Sequence, residues 1–183
     1  MESVIGTFVA FLILAALVLV LLGRKDRVGV MSGPAALGVW LAYLLHADTV
    51  VTATFIEPGR MDAIPKAVAF VVGGIVIVGG FALFAWATRE LVNQGDFDGL
   101  RARRLVTGGP YERMRQPQNA GWALMLLGVA IAGRSWISLL LVAVFVGFVV
   151  LLSRLEARGL AVTFGDDYER WRASTPVLPF ASA

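Results

Sequence analysis

Long uninterrupted runs of apolar residues constrain this 183-residue chain more than any other feature of its sequence. The first run, residues 4–23, contains no charged side chain and is long enough to cross about 30 Å of hydrocarbon as a helix. Four further apolar segments follow, at residues 28–47, 66–92, 119–133 and 136–153. Hydrophobic residues make up 58% of the chain and charged residues 16%, which excludes a disordered chain and an ordinary water-soluble domain. The sequence therefore predicts an all-α integral membrane protein with about five transmembrane helices.

Basic residues are distributed unevenly among the segments that connect these runs. Thirteen of the 16 Lys and Arg residues lie at residues 24–27, at residues 89–115 or after residue 152. The remaining three are Arg60, Lys66 and Arg134. Because basic residues collect on the cytoplasmic side, this bias predicts a bacterial-type plasma membrane protein with its N-terminus outside and its C-terminus in the cytoplasm. The first run is interpreted as a span and not as a signal peptide, since no basic residue precedes it and a basic cluster follows it.

Rare residue types exclude several kinds of chemistry. The chain has no cysteine and one histidine, His46, so disulfides, cysteine nucleophiles and multi-histidine metal sites are excluded. His46, beside Asp48 at the outer end of the second span, is predicted to be an interfacial residue and not a ligand. No ionisable residue is then expected in the middle of a span, which argues against an ion path.

The net charge of +3 is mild, so the expected partner is the lipid bilayer and not a nucleic acid, while the oligomeric state stays open.

Small residues recur on one face of two of the predicted helices, where they allow close backbone approach. They are Ala69, Gly73, Gly80 and Ala87 in the third span and Gly121, Gly128 and Ala132 in the fourth. We expect these faces to be helix contacts. The last two spans are separated only by residues 133–135 and should form a tight helical hairpin.

Two polar segments flank that hairpin, and the first one ends at a helix start. In Gln116-Pro117, proline can occupy the first helical position, where its missing N–H is not needed. A helix N-terminus attracts anions, and Arg113 and Arg115 stand just before it. These arginines could seat a carboxylate or phosphate, or they could only anchor the helix at anionic headgroups.

The second polar segment carries Glu156 at the cytoplasmic end of the fifth span, with Arg154 and Arg158 two positions before and after it. Phe164-Gly165 is predicted to end that helix, and residues 166–173 are predicted to form a short amphipathic helix. This helix could be a surface anchor or a lid that closes a pocket against the first segment.

These residues resemble the superfamily of isoprenylcysteine carboxyl methyltransferases and phospholipid methyltransferases, which are integral membrane enzymes. The family pattern is Gly-Pro-Tyr, Arg-His-Pro-x-Tyr-x-Gly, a hydrophobic hairpin, Glu-Glu-x-x-Leu, Phe-Gly-x-x-Tyr and a closing Val-Pro-x-x-x-Pro. The matching segments, in the same order, are Gly109-Pro110-Tyr111, residues 115–121, residues 156–160, residues 164–168 and residues 175–179. The resemblance covers roughly residues 105–180.

The resemblance implies that S-adenosylmethionine binds at the cytoplasmic base of the hairpin and that a lipid-like or small hydrophobic substrate enters from the bilayer. Arg115 and the fourth span's N-terminus would hold the cofactor carboxylate, and Glu156 would hold its ammonium. Arg115 and Glu156 are the expected catalytic residues. The cofactor-binding residues implied are Gly109, Pro110, Tyr111, Arg115, Gln116, Pro117, Asn119, Gly121, Glu156 and Tyr168. No metal is implied.

Three polar positions depart from the family pattern. The family histidine is Gln116, the tyrosine is Asn119 and the second glutamate is Ala157. Glutamine can donate and accept hydrogen bonds but cannot titrate near neutral pH. Two alternatives to a methyltransferase therefore stay open. One is a non-catalytic accessory or binding relative, and the other is an NADPH-dependent enzyme of the sterol-reductase type.

The expected organisation is one membrane domain over residues 1–183. Three spans fall within residues 1–92, a cytoplasmic loop covers 93–118, the transmembrane hairpin covers 119–153, and a cytoplasmic tail over 154–183 completes the cofactor pocket.

Overall fold

The computed structural model describes residues 2–23, 33–56, 61–93 and 104–177. Every regular element among these residues is helical, which confirms the predicted all-α fold. The helices are α1 (Glu2–Gly23), α2 (Gly33–Ile56), α3 (Lys66–Asn93), α4 (Pro117–Ala132), α5 (Trp136–Phe164) and α6 (Asp166–Ser174), with a 3₁₀ turn at Gly109–Glu112 before α4. The predicted basic cluster at 24–27, Arg60 and the end of the closing motif at 178–179 lie outside the described residues.

Four helices in the described part of the chain are long and apolar enough to cross a membrane: α1, α2, α3 and α5. The chain is therefore an integral membrane protein. The predicted fourth span is α4, which has 16 residues. At 1.5 Å per residue its length is about 24 Å, which is shorter than about 30 Å of hydrocarbon. The count of five crossings thus stays a prediction.

Two helices extend beyond the apolar segments that predicted them. The apolar segment that predicted α2 ends at Ala47, and the helix continues to Ile56. The apolar segment that predicted α5 ends at Ser153, and the helix continues to Phe164, where the Phe164-Gly165 pair was predicted to end it. In α2 the continuation carries threonines whose hydroxyls bond to carbonyls one turn earlier. Thr49 Oγ1 donates to Leu45 O at 2.8 Å, and Thr54 Oγ1 donates to Val50 O at 2.9 Å. These bonds satisfy the hydroxyls within the helix itself, so polar residues do not end it.

Helix α4 packs most extensively against α3, and their small residues form the contact, as predicted. A Cβ added to Gly73 would lie 2.5 Å from Gly128 O, and one added to Gly80 would lie 2.7 Å from Gly121 O. The order of these pairs shows that α3 and α4 run antiparallel. Only glycine permits backbones this close, so the interface fixes where α4 begins relative to α3.

A cluster of aromatic rings fills the space between α1, α2 and α5, and His46 belongs to it. The prediction that His46 is interfacial is wrong, because α2 continues well past it. His46 is fully buried, with ring centroids 4.7 Å from Phe11 and 5.2 Å from Phe145. Its Nε2 lies 2.9 Å from Leu141 O and donates to it, since a carbonyl oxygen can only accept. An ionisable side chain therefore does occupy the interior of a span.

Contacts at the two ends show that successive helices run in opposite directions. Tyr43 of α2 bonds to Asn119 at the start of α4, whereas Thr54 of α2 bonds to Ser138 at the start of α5. We call the end with Asn119 the site end and the opposite end the far end. At the far end the turn between α4 and α5 is fastened by Arg134, whose Nη1 donates to Ile64 O at 2.9 Å.

Candidate functional site

The candidate site lies where α4 begins. Backbone hydrogen bonds there join residues 176–177, near the C-terminus, to residues 115–116, just before α4. Arg115 N donates to Pro176 O at 2.8 Å, and Gln116 N donates to Val177 O at 3.2 Å. Gln116 is the residue before the first helical turn, and Pro117 begins α4 as predicted. The two polar segments singled out from the sequence therefore meet in the fold.

Helix α6 lies over this segment and is held to it by its aromatic residues. Trp171 Nε1 donates to Tyr111 O at 3.1 Å, and the rings of Trp171 and Tyr168 are 5.8 Å apart. Tyr168 is 2% exposed and its side chain hydrogen-bonds Arg115. Burial raises the pKa of the Tyr168 phenol, and the Arg115 contact opposes part of that rise. α6 is thus part of the site's wall and not only a surface helix.

Four side chains at the heart of the site form a continuous hydrogen-bonded chain from α2 to α5. Tyr43 Oη donates to Asn119 Oδ1 at 2.7 Å, and Asn119 Nδ2 donates to Gln116 Oε1 at 2.6 Å. Gln116 Nε2 then donates to Glu156 Oε2 at 2.7 Å. Gln116 and Asn119 are two of the three positions that depart from the family pattern, and both have partners here.

A cavity lies beside these four hydrogen-bonded side chains. Of the ten residues proposed from the sequence, five line it: Tyr111, Arg115, Gln116, Asn119 and Glu156. The others that line it are Val39, Trp40, Tyr43, Phe84, Leu91, Arg104, Leu105, Val106, Gln118, Leu152, Leu160 and Trp171.

The remaining five sequence-proposed residues surround the cavity without lining it. Pro110 and Pro117 are fully buried, and Tyr168 is buried against Arg115. Gly109 adopts a left-handed φ of 60°, which glycine allows without strain and which turns the chain before α4. Gly121 faces α3, where a Cβ would lie 2.7 Å from Gly80 O. These residues shape the loop and the packing around the cavity.

Sequence reasoning missed the contribution of α2, which brings Trp40 and Tyr43 to the cavity. Both residues lie inside an apolar run that reads as an ordinary span. One signal was available, because a tyrosine hydroxyl buried in a span requires a hydrogen-bond partner. Trp122 on α4 does not line the cavity and packs against Trp40 and Tyr43.

One buried donor at the cavity has no partner. Within the described part of the chain, Arg115 Nε makes no hydrogen bond, although the same side chain bonds to Tyr168. A buried unsatisfied donor is costly unless a ligand or water completes it. A guanidinium N–H beside a cavity suits a carboxylate or phosphate oxygen.

The fold and the site define a helical integral membrane protein with a charged and aromatic cavity at one end of its helices. The protein-family model described as phospholipid methyltransferase matches residues 68–167, more than half of the chain. The chain therefore belongs to the phospholipid methyltransferase family, part of the superfamily of integral membrane methyltransferases that it resembles. Membership implies an S-adenosylmethionine-dependent methyltransferase of lipid-like substrates. No curated protein and no solved structure matches the chain.

Proposed function

We propose that this protein transfers a methyl group from S-adenosylmethionine to a lipid-like or small hydrophobic molecule at the cytoplasmic face of the membrane. One observation carries the proposal. The cavity at the start of α4 holds an acidic side chain, Glu156, fixed by Gln116, together with a basic one, Arg115, that has an unpartnered N–H.

The two charged side chains of the cavity fit the methionine part of this cofactor, which carries one ammonium and one carboxylate. Glu156 would accept from the ammonium, while Arg115 Nε and the start of α4 would hold the carboxylate. When bound, the cofactor supplies a methyl group on a positively charged sulfur. The proposed cofactor-binding set remains that given by the motifs: Gly109, Pro110, Tyr111, Arg115, Gln116, Pro117, Asn119, Gly121, Glu156 and Tyr168.

The rest of the cavity is suited to an apolar substrate. Trp40 and Phe84 contribute aromatic surface from α2 and α3, next to helix faces that are exposed where lipid would lie. Glu156 is the only carboxylate among the described lining residues, and the Gln116 amide cannot titrate. A substrate amine or hydroxyl that must lose a proton would therefore transfer it to Glu156, while a carboxylate substrate would need no base.

The proposal places the site end in the cytoplasm. The described basic residues of that end include Arg104, Arg113 and Arg158, whereas Lys66 and Arg134 lie at the far end. With five crossings the N-terminus is outside and the C-terminus is inside, in a bacterial-type plasma membrane. Residues 93–118 and 154–183 then form the cytoplasmic loop and tail that enclose the cofactor, below the hairpin 119–153.

The test is calorimetric titration of the detergent-purified protein with S-adenosylmethionine and S-adenosylhomocysteine. We expect saturable binding that Glu156→Ala and Arg115→Ala each weaken at least about tenfold, since each removes a charged hydrogen-bond partner. Arg113→Ala and Glu169→Ala are matched controls, because both residues are exposed and neither lines the cavity.

The outcomes separate the functions that the sequence left open. Binding together with methyl transfer to lipid extracts supports the proposal. Binding without transfer would identify a non-catalytic relative. Absence of binding up to millimolar cofactor rejects the methyltransferase, and NADPH binding in its place would select the reductase.

A further inference from the structure

Tyr43 is a buried polar residue of α2 that is packed among aromatic rings. It is 5% exposed, and its ring centroid lies 5.0 Å from Phe145 and 6.2 Å from Phe148, both edge-on. Trp40 and Trp122 pack on other sides, at 5.9 and 6.0 Å. Rings packed this closely leave few rotamers, so the hydroxyl has a fixed position.

The hydrogen bonds that start at this hydroxyl can run in only one direction while Glu156 is a carboxylate. A carboxylate only accepts, so Gln116 must present its Nε2 to Glu156 and its Oε1 to Asn119. Asn119 must then present Nδ2 to Gln116, which leaves its Oδ1 in need of a donor. Tyr43 supplies that donor.

We propose that Tyr43 is a positioning residue that orients the Glu156 carboxylate for the cofactor ammonium, acting through Asn119 and Gln116. The inference rests on the proposed function. It assigns a part in the site to α2, which lies outside the family match at residues 68–167. It also assigns one shared role to Gln116 and Asn119, two of the three positions that depart from the family pattern. Their amides link the Tyr43 hydroxyl to the Glu156 carboxylate by hydrogen bonds.

Without the hydroxyl, the two amides lose the bond that ties them to α2. Asn119 Oδ1 would lose its donor, and the Asn119 side chain would be free to turn away from Gln116. Gln116 would still present its Nε2 to Glu156, because a carboxylate only accepts, but its Oε1 would lose the bond that holds the amide in place. The carboxylate would sample several orientations, and ordering it again on binding would cost affinity.

The experiment is a double-mutant cycle read out by calorimetric binding of S-adenosylhomocysteine. Tyr43→Phe removes only the hydroxyl, and Asn119→Ala breaks the chain at its next member. We expect each single variant to bind about tenfold more weakly, which corresponds to about 1.4 kcal/mol. The double variant should bind no more weakly than the single variant with the lower affinity. Once one hydrogen bond of the series is lost, Glu156 is no longer oriented, and losing a second bond has no further effect.

The matched control is Thr54→Val on the same helix. It removes a buried hydrogen bond to Ser138 of similar length, 2.8 Å, at the far end and away from the cavity. It should lower the melting temperature of the ligand-free protein as much as Tyr43→Phe does and leave binding unchanged. A purely structural role for Tyr43 would give the two variants the same binding.

Each result decides the matter. Wild-type binding by Tyr43→Phe, or losses that multiply in the double variant, overturns the positioning role while leaving the proposed function intact. If Tyr43→Phe does not fold, wild-type binding by Asn119→Ala still overturns the positioning role, because the hydrogen bonds from Tyr43 reach Glu156 only through this amide. Absence of binding by the wild type rejects the proposed function, and the positioning role falls with it.

Discussion

Gln116 Nε2 lies 2.7 Å from Glu156 Oε2, so a single hydrogen bond joins the start of α4 to α5 across the candidate site. The same amide accepts from Asn119 Nδ2 at 2.6 Å. Glutamine can make both bonds at once because its side chain carries one acceptor and one donor end. A neutral imidazole also has one acceptor and one donor nitrogen, so a histidine at this position has the groups needed for the same two bonds.

Replacing Gln116 should therefore distinguish its hydrogen bonds from its bulk. Gln116→Leu leaves two half-buried groups without their partners, and we expect the free energy of unfolding to fall by about 1–3 kcal/mol. Gln116→His should retain most of the stability. The measurement is reversible unfolding in mixed micelles, with Gln118→Leu as the control. Gln118 bonds to Thr88, which still has Phe84 O as a partner, so a loss as large as that of Gln116→Leu would contradict the prediction.

The contact between α3 and α4 should be intolerant of a single methyl group. Gly80→Ala would place its Cβ 2.7 Å from Gly121 O and Met125 N, and backbone atoms cannot move aside as a flexible side chain can. We expect a loss of about 1–3 kcal/mol, the usual cost of overpacking, measured as thermal unfolding in detergent. Gly79→Ala, one position earlier, has nothing within 4 Å of the added methyl. Equal melting temperatures for the two variants would show that this contact does not hold α4.

Local patterns in the sequence were enough to predict the elements that carry the site. Uninterrupted apolar runs predicted α1 and α3, and the small-residue spacing predicted the face on which α3 meets α4. The Gln116-Pro117 pair predicted the start of α4, because the proline's effect on the helix is local. Each of these features depends on residues that are close together in the sequence, so a local sequence pattern predicts it.

The hydrogen-bonded chain could not be predicted in the same way. Tyr43 and Asn119 are 76 positions apart, and their contact exists only once α2, α4 and α5 have packed. The misplacement of His46 has a related cause, since hydropathy ended the second span before the threonines that α2 accommodates through its own carbonyls. Side-chain pairing across helices is set by packing, which an apolar pattern does not encode.

Helix α6 should control how fast ligand leaves the site. Trp171 lines the cavity and bonds to Tyr111 O, so Trp171→Ala removes both a wall and a tether. We expect S-adenosylhomocysteine to dissociate at least about tenfold faster from this variant than from the wild type. Stopped-flow tryptophan fluorescence measures the rate. Trp171→Phe keeps an aromatic wall and should have a smaller effect. Arg170→Ala on the same helix loses only an exposed ion pair with Asp167 and should match the wild type. Unchanged dissociation in Trp171→Ala would mean that α6 is a surface anchor.

The proposed orientation can be measured directly, because the natural chain has no cysteine. Ala63→Cys at the far end and Ala173→Cys on α6 are a matched pair, since both replace an exposed alanine outside the candidate spans. Basic residues concentrate at the site end, so we expect a membrane-impermeant maleimide to label Ala63→Cys in intact cells. Ala173→Cys should be labelled only after the membrane is opened, and labelling of both after opening verifies that both thiols react. The reverse pattern would place the site end outside, where no cytoplasmic S-adenosylmethionine could reach it. Labelling of both in intact cells would mean an even number of crossings between the two positions, and α4 would then not span the bilayer.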